Sequence, residues 1–136
     1  MTSATPILEV KGGPTTLTWS PGSRLAVLRY DPDTTLRAAD GAFLARTLTR
    51  CIAQSREPFG VLADYTNGHS TDAEYRAEAR TFFQAHREIA YVAIFNASAV
   101  IRIAAELFRV ATGVHLKALP DEGAARSWLR MMGIGA

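Results

Sequence analysis

The sequence predicts a single α/β domain with a mixed sheet, opening as an N-terminal antiparallel meander and continuing as βαβ units. Three observations carry that expectation. Residues 59–65 are apolar enough for a buried strand, and residues 91–95 (YVAIF) are apolar on both faces, as a central parallel strand covered by helices must be. Stretches with apolar residues at helical spacing stand between and after these strands. Three short segments of strand character, divided by Gly- and Pro-containing turns, fill the first thirty residues. The order is β-β-β-α-β-α-β-α-β-α, without internal repeat or linker, and 136 residues are one domain's worth of chain, residues 1–136.

Residues 1–6 read as a loose terminus. Residues 7–11 form a short strand ended by Gly12-Gly13-Pro14. Residues 15–19 alternate, with Leu17 and Trp19 on one face and Thr16 and Thr18 on the other. Ser20-Pro21-Gly22-Ser23 marks a turn, and residues 24–30 make a stronger strand. A helix is expected over residues 36–54, where Leu36, Phe43, Leu44, Leu48, Cys51 and Ile52 share a stripe. Gly41 weakens it by about 0.5–1 kcal/mol relative to alanine, which moves the expected start toward Asp40. Arg46 and Arg50 fall on the solvated face.

Residues 59–72 (FGVLADYTNGHSTD) are the stretch around which the rest is organised. A buried strand breaks at Asn67-Gly68, and Thr71-Asp72-Ala73-Glu74 matches a capping box opening a helix over residues 71–87. Tyr75, Ala79, Phe82 and His86 form its packing stripe, with His86 a partly buried, hydrogen-bonded end residue. Asn96-Ala97-Ser98 repeats the device, with Ser98 as N-cap. The helix over residues 99–112 is apolar on two sides: Val100, Ile103, Leu107 and Val110 form one stripe, and Ile101, Ala104, Ala105, Phe108 and Ala111 another. Such a helix is either deeply covered or presents apolar surface to another subunit or ligand. Gly113 ends it, residues 114–119 form an edge strand, and Asp121 caps a last helix packed through Ala125, Trp128, Leu129 and Met132. Residues 133–136 read as a tail.

Composition excludes several classes. Hydrophobic content of 48% and charged content of 21% are those of an ordinary globular domain. A net charge of +2, without a basic run, argues against nucleic acid. Cys51 is the only cysteine, so an internal disulfide and a cysteine-rich metal site are excluded. No leader and no bilayer-length apolar run are present, so a cytoplasmic location without stable membrane insertion is expected.

Right-handed crossovers bring the loops at residues 64–71, 96–98 and 120–121 to one sheet edge. That edge gathers Asp64, Thr66, Asn67, His69, Ser70, Asn96, Ser98 and Asp121, where ligands commonly bind in open α/β sheets and helix N-termini favour anions. Asp64, His69 and Ser70 are hydrolytic residue types and form the minority, enzymatic reading. His69 and Ser70 are adjacent, however, and no G-x-S-x-G elbow exposes the serine. His69, His86 and His115 lack metal-ligand spacing. Neither G-x-G-x-x-G after a strand nor a Walker loop occurs, so no catalytic residue, metal or cofactor is expected.

Leu119-Pro120-Asp121-Glu122, followed by Ala125, Trp128 and Leu129, resembles the closing strand–helix signature of the SpoIIAA-like (STAS/SEC14-type) bacterial domains. The strand at residues 91–95 and the apolar helix after it match the expected order, so the resemblance spans roughly Leu17 to Met132. It implies an anti-sigma-factor-antagonist-like fold, no cofactor, and regulation through protein contacts. In that family a serine or threonine opening the helix after a strand is phosphorylated by a partner kinase, which points to Ser70 and Thr71. The family's Asp-Ser-Ser-Gly pattern is replaced here by His69-Ser70-Thr71-Asp72.

The expected function is a non-enzymatic regulatory module that meets a protein partner, a regulator or kinase, through the loop carrying Asp64, Thr66, Asn67, His69, Ser70 and Thr71, with Asn96 and Ser98 beside it. The alternative is a carrier for an apolar small molecule or lipid. Val100, Ile101, Leu107 and Phe108 would then form its pocket, or else a homodimer interface.

Overall fold

The computed structural model describes residues 7–135 and shows a six-stranded mixed sheet with four helices. The expected loose terminus at residues 1–6 lies outside the described residues, as does Ala136. In chain order the elements are β1 (Leu8–Gly12), β2 (Thr15–Ser20), β3 (Leu25–Tyr30), β4 (Thr35–Leu36), α1 (Ala38–Ile52), β5 (Phe59–Asp64), β6 (Ser70–Thr71), α2 (Ala73–Ala85), β7 (Ala90–Phe95), α3 (Ala99–Thr112), β8 (His115–Leu119) and α4 (Glu122–Met131). The main sheet runs β1-β2-β3-β5-β7-β8. The first three strands are antiparallel, and β3, β5, β7 and β8 are parallel.

This order decides where the helices lie. Strands β3, β5, β7 and β8 are added in one direction, and right-handed crossovers then place all three connecting helices on one face. Accordingly α1, α2 and α3 share the larger core with Leu28, Val61 and Val92. Only α4, which follows the last strand, covers the opposite face, over Leu62, Ala93 and Phe95. Successive strand side chains point to opposite faces, so each central strand feeds both cores.

Two glycines mark close approaches. A Cβ on Gly41 would lie 2.7 Å from Glu78 Cβ and 3.1 Å from the Tyr75 carbonyl oxygen, so the residue that weakens α1 locally also lets α2 pack against it. A Cβ on Gly60 would lie 2.4 Å from Ile134 Cγ2. Ile134 is 3% exposed and belongs to the core beneath α4, so the expected tail packs as a strap. Met132, expected in the packing face of α4, is 39% exposed at the helix end, and Ile134 fills the place instead.

Leu36 is not the start of α1. Thr35 and Leu36 pair in parallel with Ser70 and Thr71 as a separate two-stranded sheet, and α1 begins after Arg37, whose amide donates to Asp40 Oδ2 at 2.8 Å. Two-residue strands carry too little periodicity to be read from sequence. Arg46 and Arg50 are exposed, as expected, whereas Cys51, expected inside the core, is only half-buried at its margin; burial pushes the Cys51 thiol up from its ordinary value.

Candidate functional site: a polar edge and an apolar chamber

The strand alternation that builds two cores also divides the expected site. Asp64 ends β5 on the α4 face. Its Oδ2 accepts from Arg29 Nη1 at 2.6 Å, and its Oδ1 accepts from the Thr66 amide at 2.8 Å and from the Thr66 hydroxyl. Asn96, held at φ 57°, donates from Nδ2 to Thr66 Oγ1 at 2.8 Å. Glu122 Oε2 ties Arg29 at 3.5 Å to Arg126 at 2.9 Å. Burial opposes ionisation of Asp64, but the hydrogen bonds from Thr66 and the Arg29 guanidinium outweigh it and hold the carboxyl below its ordinary value. Asp64, Thr66 and Asn96 therefore do meet. They form a satisfied polar cluster that pins strand ends together, and both carboxylate oxygens are already engaged.

The remaining loop residues go elsewhere. Asn67 donates to the Tyr30 carbonyl at 2.7 Å. Ser70 Oγ lies 2.9 Å from Thr35 Oγ1 across the small sheet. Thr71 precedes the helix, and its carbonyl and hydroxyl oxygens accept from Arg76 Nη1 at 2.7 and 3.1 Å. The capping box expected from Thr71 and Glu74 does not form: Asp72 is the N-cap and accepts from the Tyr75 amide at 2.8 Å. A carboxylate already at this helix N-terminus removes the advantage it would offer a phosphate on Ser70 or Thr71. Replacing Asp72 with alanine should cost about 1 kcal/mol in urea unfolding, whereas Glu74→Ala should stay within about 0.5 kcal/mol. Ser98 caps α3 as expected, accepting from the Ile101 amide at 3.2 Å, and Asp121 caps α4 through the Ala124 amide at 2.8 Å rather than joining the edge cluster. His86 is half-buried, with Nδ1 2.8 Å from the Phe82 carbonyl oxygen, also as expected.

His69 departs furthest from the sequence reading. It is 2% exposed, stacked between Tyr30 and Tyr65 at ring separations of 3.9 and 4.2 Å, and neither ring nitrogen has a hydrogen-bond partner. Burial pushes its pKa down to about 4, countered in part by the Asp64 carboxylate. Asp64, His69 and Ser70 thus form no relay, because each is committed to a different neighbour. Among the described residues, no cluster of three or more His, Cys, Asp or Glu converges as a metal site.

On the α1–α3 side, a chamber of about 110 Å³ lies between the sheet and the crevice of α2 and α3. Leu28, Val61, Val92 and Ile94 form its floor, and Ile101, Ala105 and Phe108 form the wall contributed by α3. The two apolar stripes of α3 are thereby assigned. Ile101, Ala105 and Phe108 are half-buried against the core, while Val100, Ile103, Leu107 and Val110 are 64–73% exposed. The expected group Val100, Ile101, Leu107 and Phe108 is consequently split, with Ile101 and Phe108 on the chamber and Val100 and Leu107 facing solvent.

Sequence reasoning missed Tyr30, Tyr65, Tyr75 and Arg76, all of which line the chamber. Burial raises all three tyrosines above their ordinary value, Tyr65 to about 12. The signal was present in part, since Leu28 and Tyr30 share a strand face and Tyr75 and Ala79 a helix face. It also missed Arg29 of β3 and the Glu122–Arg126 pair of α4; the pair is one helical turn apart and local to α4, whereas Arg29 joins it only through the tertiary fold.

Three helices on one face of the mixed sheet and a single helix on the other give the chain a SpoIIAA-like fold. A crystal structure of an uncharacterised protein of the DUF3478 family with a SpoIIAA-like fold, from Shewanella loihica PV-4, matches with a TM-score of 0.61 and 16% identity, covering 95% of this chain and 98% of that one. No protein-family model and no curated protein matches the chain. Among the described residues, no helix is long and apolar enough to cross a membrane.

Proposed function

We propose that this SpoIIAA-like domain is a non-enzymatic regulatory module that binds a protein through the outer face of α3. The observation that carries this reading is the exposure of Val100, Ile103, Leu107 and Val110. Their 3-4-3 spacing is that of a coiled-coil seam, and the flanking Ala99, Ala104 and Ala111 are exposed and small enough to admit a second helix closely. The spacing is also symmetric about Ala105. An antiparallel α3 from a second copy would set Val100 against Val110 and Ile103 against Leu107, which makes self-association the form of docking to test first. A modification at Ser70 would act on this module through its contact with Thr35, by parting the small sheet that carries the chain into α2.

Sedimentation velocity across a concentration series tests the reading. The wild-type chain should self-associate, and Leu107→Asp should weaken association more than tenfold, with a charge buried in the seam. Leu107 is 67% exposed, so the substitution should leave folding stability within about 0.5 kcal/mol. A wild-type chain that stays monomeric at high concentration, indistinguishable from the variant, would remove self-association as the form of docking.

A second reading, a small-molecule carrier, is favoured by the chamber under the inner face of α3. The helix would then serve as a cover, apolar on both sides because it meets a ligand below and a partner above.

A further inference from the structure

The chamber carries chemical information beyond its apolar walls. Its lining includes one cation, Arg76, and no acidic side chain. Arg76 directs Nη1 to Thr71, and among the described residues no carboxylate lies within ion-pair distance of its guanidinium. Thr71 and Arg76 stand at the approach to and first turn of α2, where the lining reaches exposed surface. The other polar groups on the wall include the phenols of Tyr30, Tyr65 and Tyr75. Tyr30 and Tyr75 interact with one another through their hydroxyls, and a phenol hydroxyl can accept as well as donate. An apolar body with one anionic end is the ligand that such a wall complements.

Size narrows the class. An apolar cavity of about 150 Å³ accepts benzene, and the present chamber is about 110 Å³. It suits a single ring or a short alkyl chain, with α3 adjusting slightly, and is far too small for a two-chain lipid. The geometry points to a small monocarboxylate, aromatic or short-chain, with its apolar body in the chamber and its carboxylate against Arg76 at the mouth. This assignment rests on the carrier reading, and its test separates the two.

The probes are phenylacetate and its neutral isostere phenylacetamide, titrated by calorimetry and by amide chemical shifts into the full chain, Arg76→Gln, Arg76→Lys and Ala105→Leu. Phenylacetate should bind the wild-type chain about tenfold or more tighter than phenylacetamide, the worth of a charge-assisted contact. Arg76→Gln should erase that preference, Arg76→Lys should restore part of it, and Ala105→Leu, which fills the chamber, should weaken both probes. Equal binding of the two probes would overturn the carboxylate assignment while leaving the carrier reading intact. Binding unaffected by Ala105→Leu would place the ligand outside the chamber and overturn the assignment, as would a preference that survives Arg76→Gln. Binding of neither probe would overturn both readings.

Discussion

Lowering the pH from about 6.5 to about 4 should remove about 3 kcal/mol of stability through His69 alone. The ring is 2% exposed between two tyrosines, has no hydrogen-bond partner, and has its pKa pushed down to about 4. The sign follows from proton binding. Below pH 6.5 the unfolded chain protonates its histidine while the folded chain keeps the ring neutral, so each step toward acid favours unfolding until the folded ring also titrates near pH 4. Full stability from this residue is therefore present above the unfolded value. His69→Phe keeps an aromatic ring between Tyr30 and Tyr65 and removes both unpaired nitrogens and the titration. Urea midpoints at pH 7 and pH 4.5 provide the comparison. The variant should be at least as stable as wild type at pH 7 and should lose markedly less at pH 4.5. Equal losses in both proteins would assign the acid sensitivity to carboxylates instead.

Ile134→Ala should cost about 2–5 kcal/mol, a large share of the stability of a domain of this size. The side chain is 3% exposed against Leu25, Leu62, Phe95 and Leu129 in the core beneath α4. Its backbone is held there by the bond from its amide to the Leu129 carbonyl at 2.8 Å, between Gly133 at φ 85° and Gly135 at φ 71°. Gly60 receives it, and a Cβ there would meet Ile134 Cγ2 at 2.4 Å. The two positions should therefore be coupled: Gly60→Ala should be clearly destabilising in the wild-type chain but much less so when Ile134 is already alanine. Chemical denaturation of the two single variants and the double variant measures this, and simple additivity would show that Ile134 does not occupy the space above Gly60.

The sequence by itself determined the elements whose physics is local. Helical spacing located α1, α2, α3 and α4 to within a few residues, the side-chain chemistry of Ser98 and Asp121 marked two helix starts, and continuous apolar runs marked β5 and β7. It also showed that α3 has two apolar faces. Tertiary structure decided which face meets what, because that depends on three crossover helices sharing one side of the sheet. It decided, too, that Asp64 and His69, five residues apart, would part company. Strand alternation sends Asp64 to Arg29 on the α4 side, while the loop folds His69 between tyrosines on the other. The chamber tyrosines, Arg76, the β4–β6 pairing and the strap at Ile134 involve residues distant in sequence or elements too short to have a period. Their positions are fixed by packing against one another: the strand face of Tyr30 and the helix face of Tyr75 are readable locally, but the convergence of these groups is not.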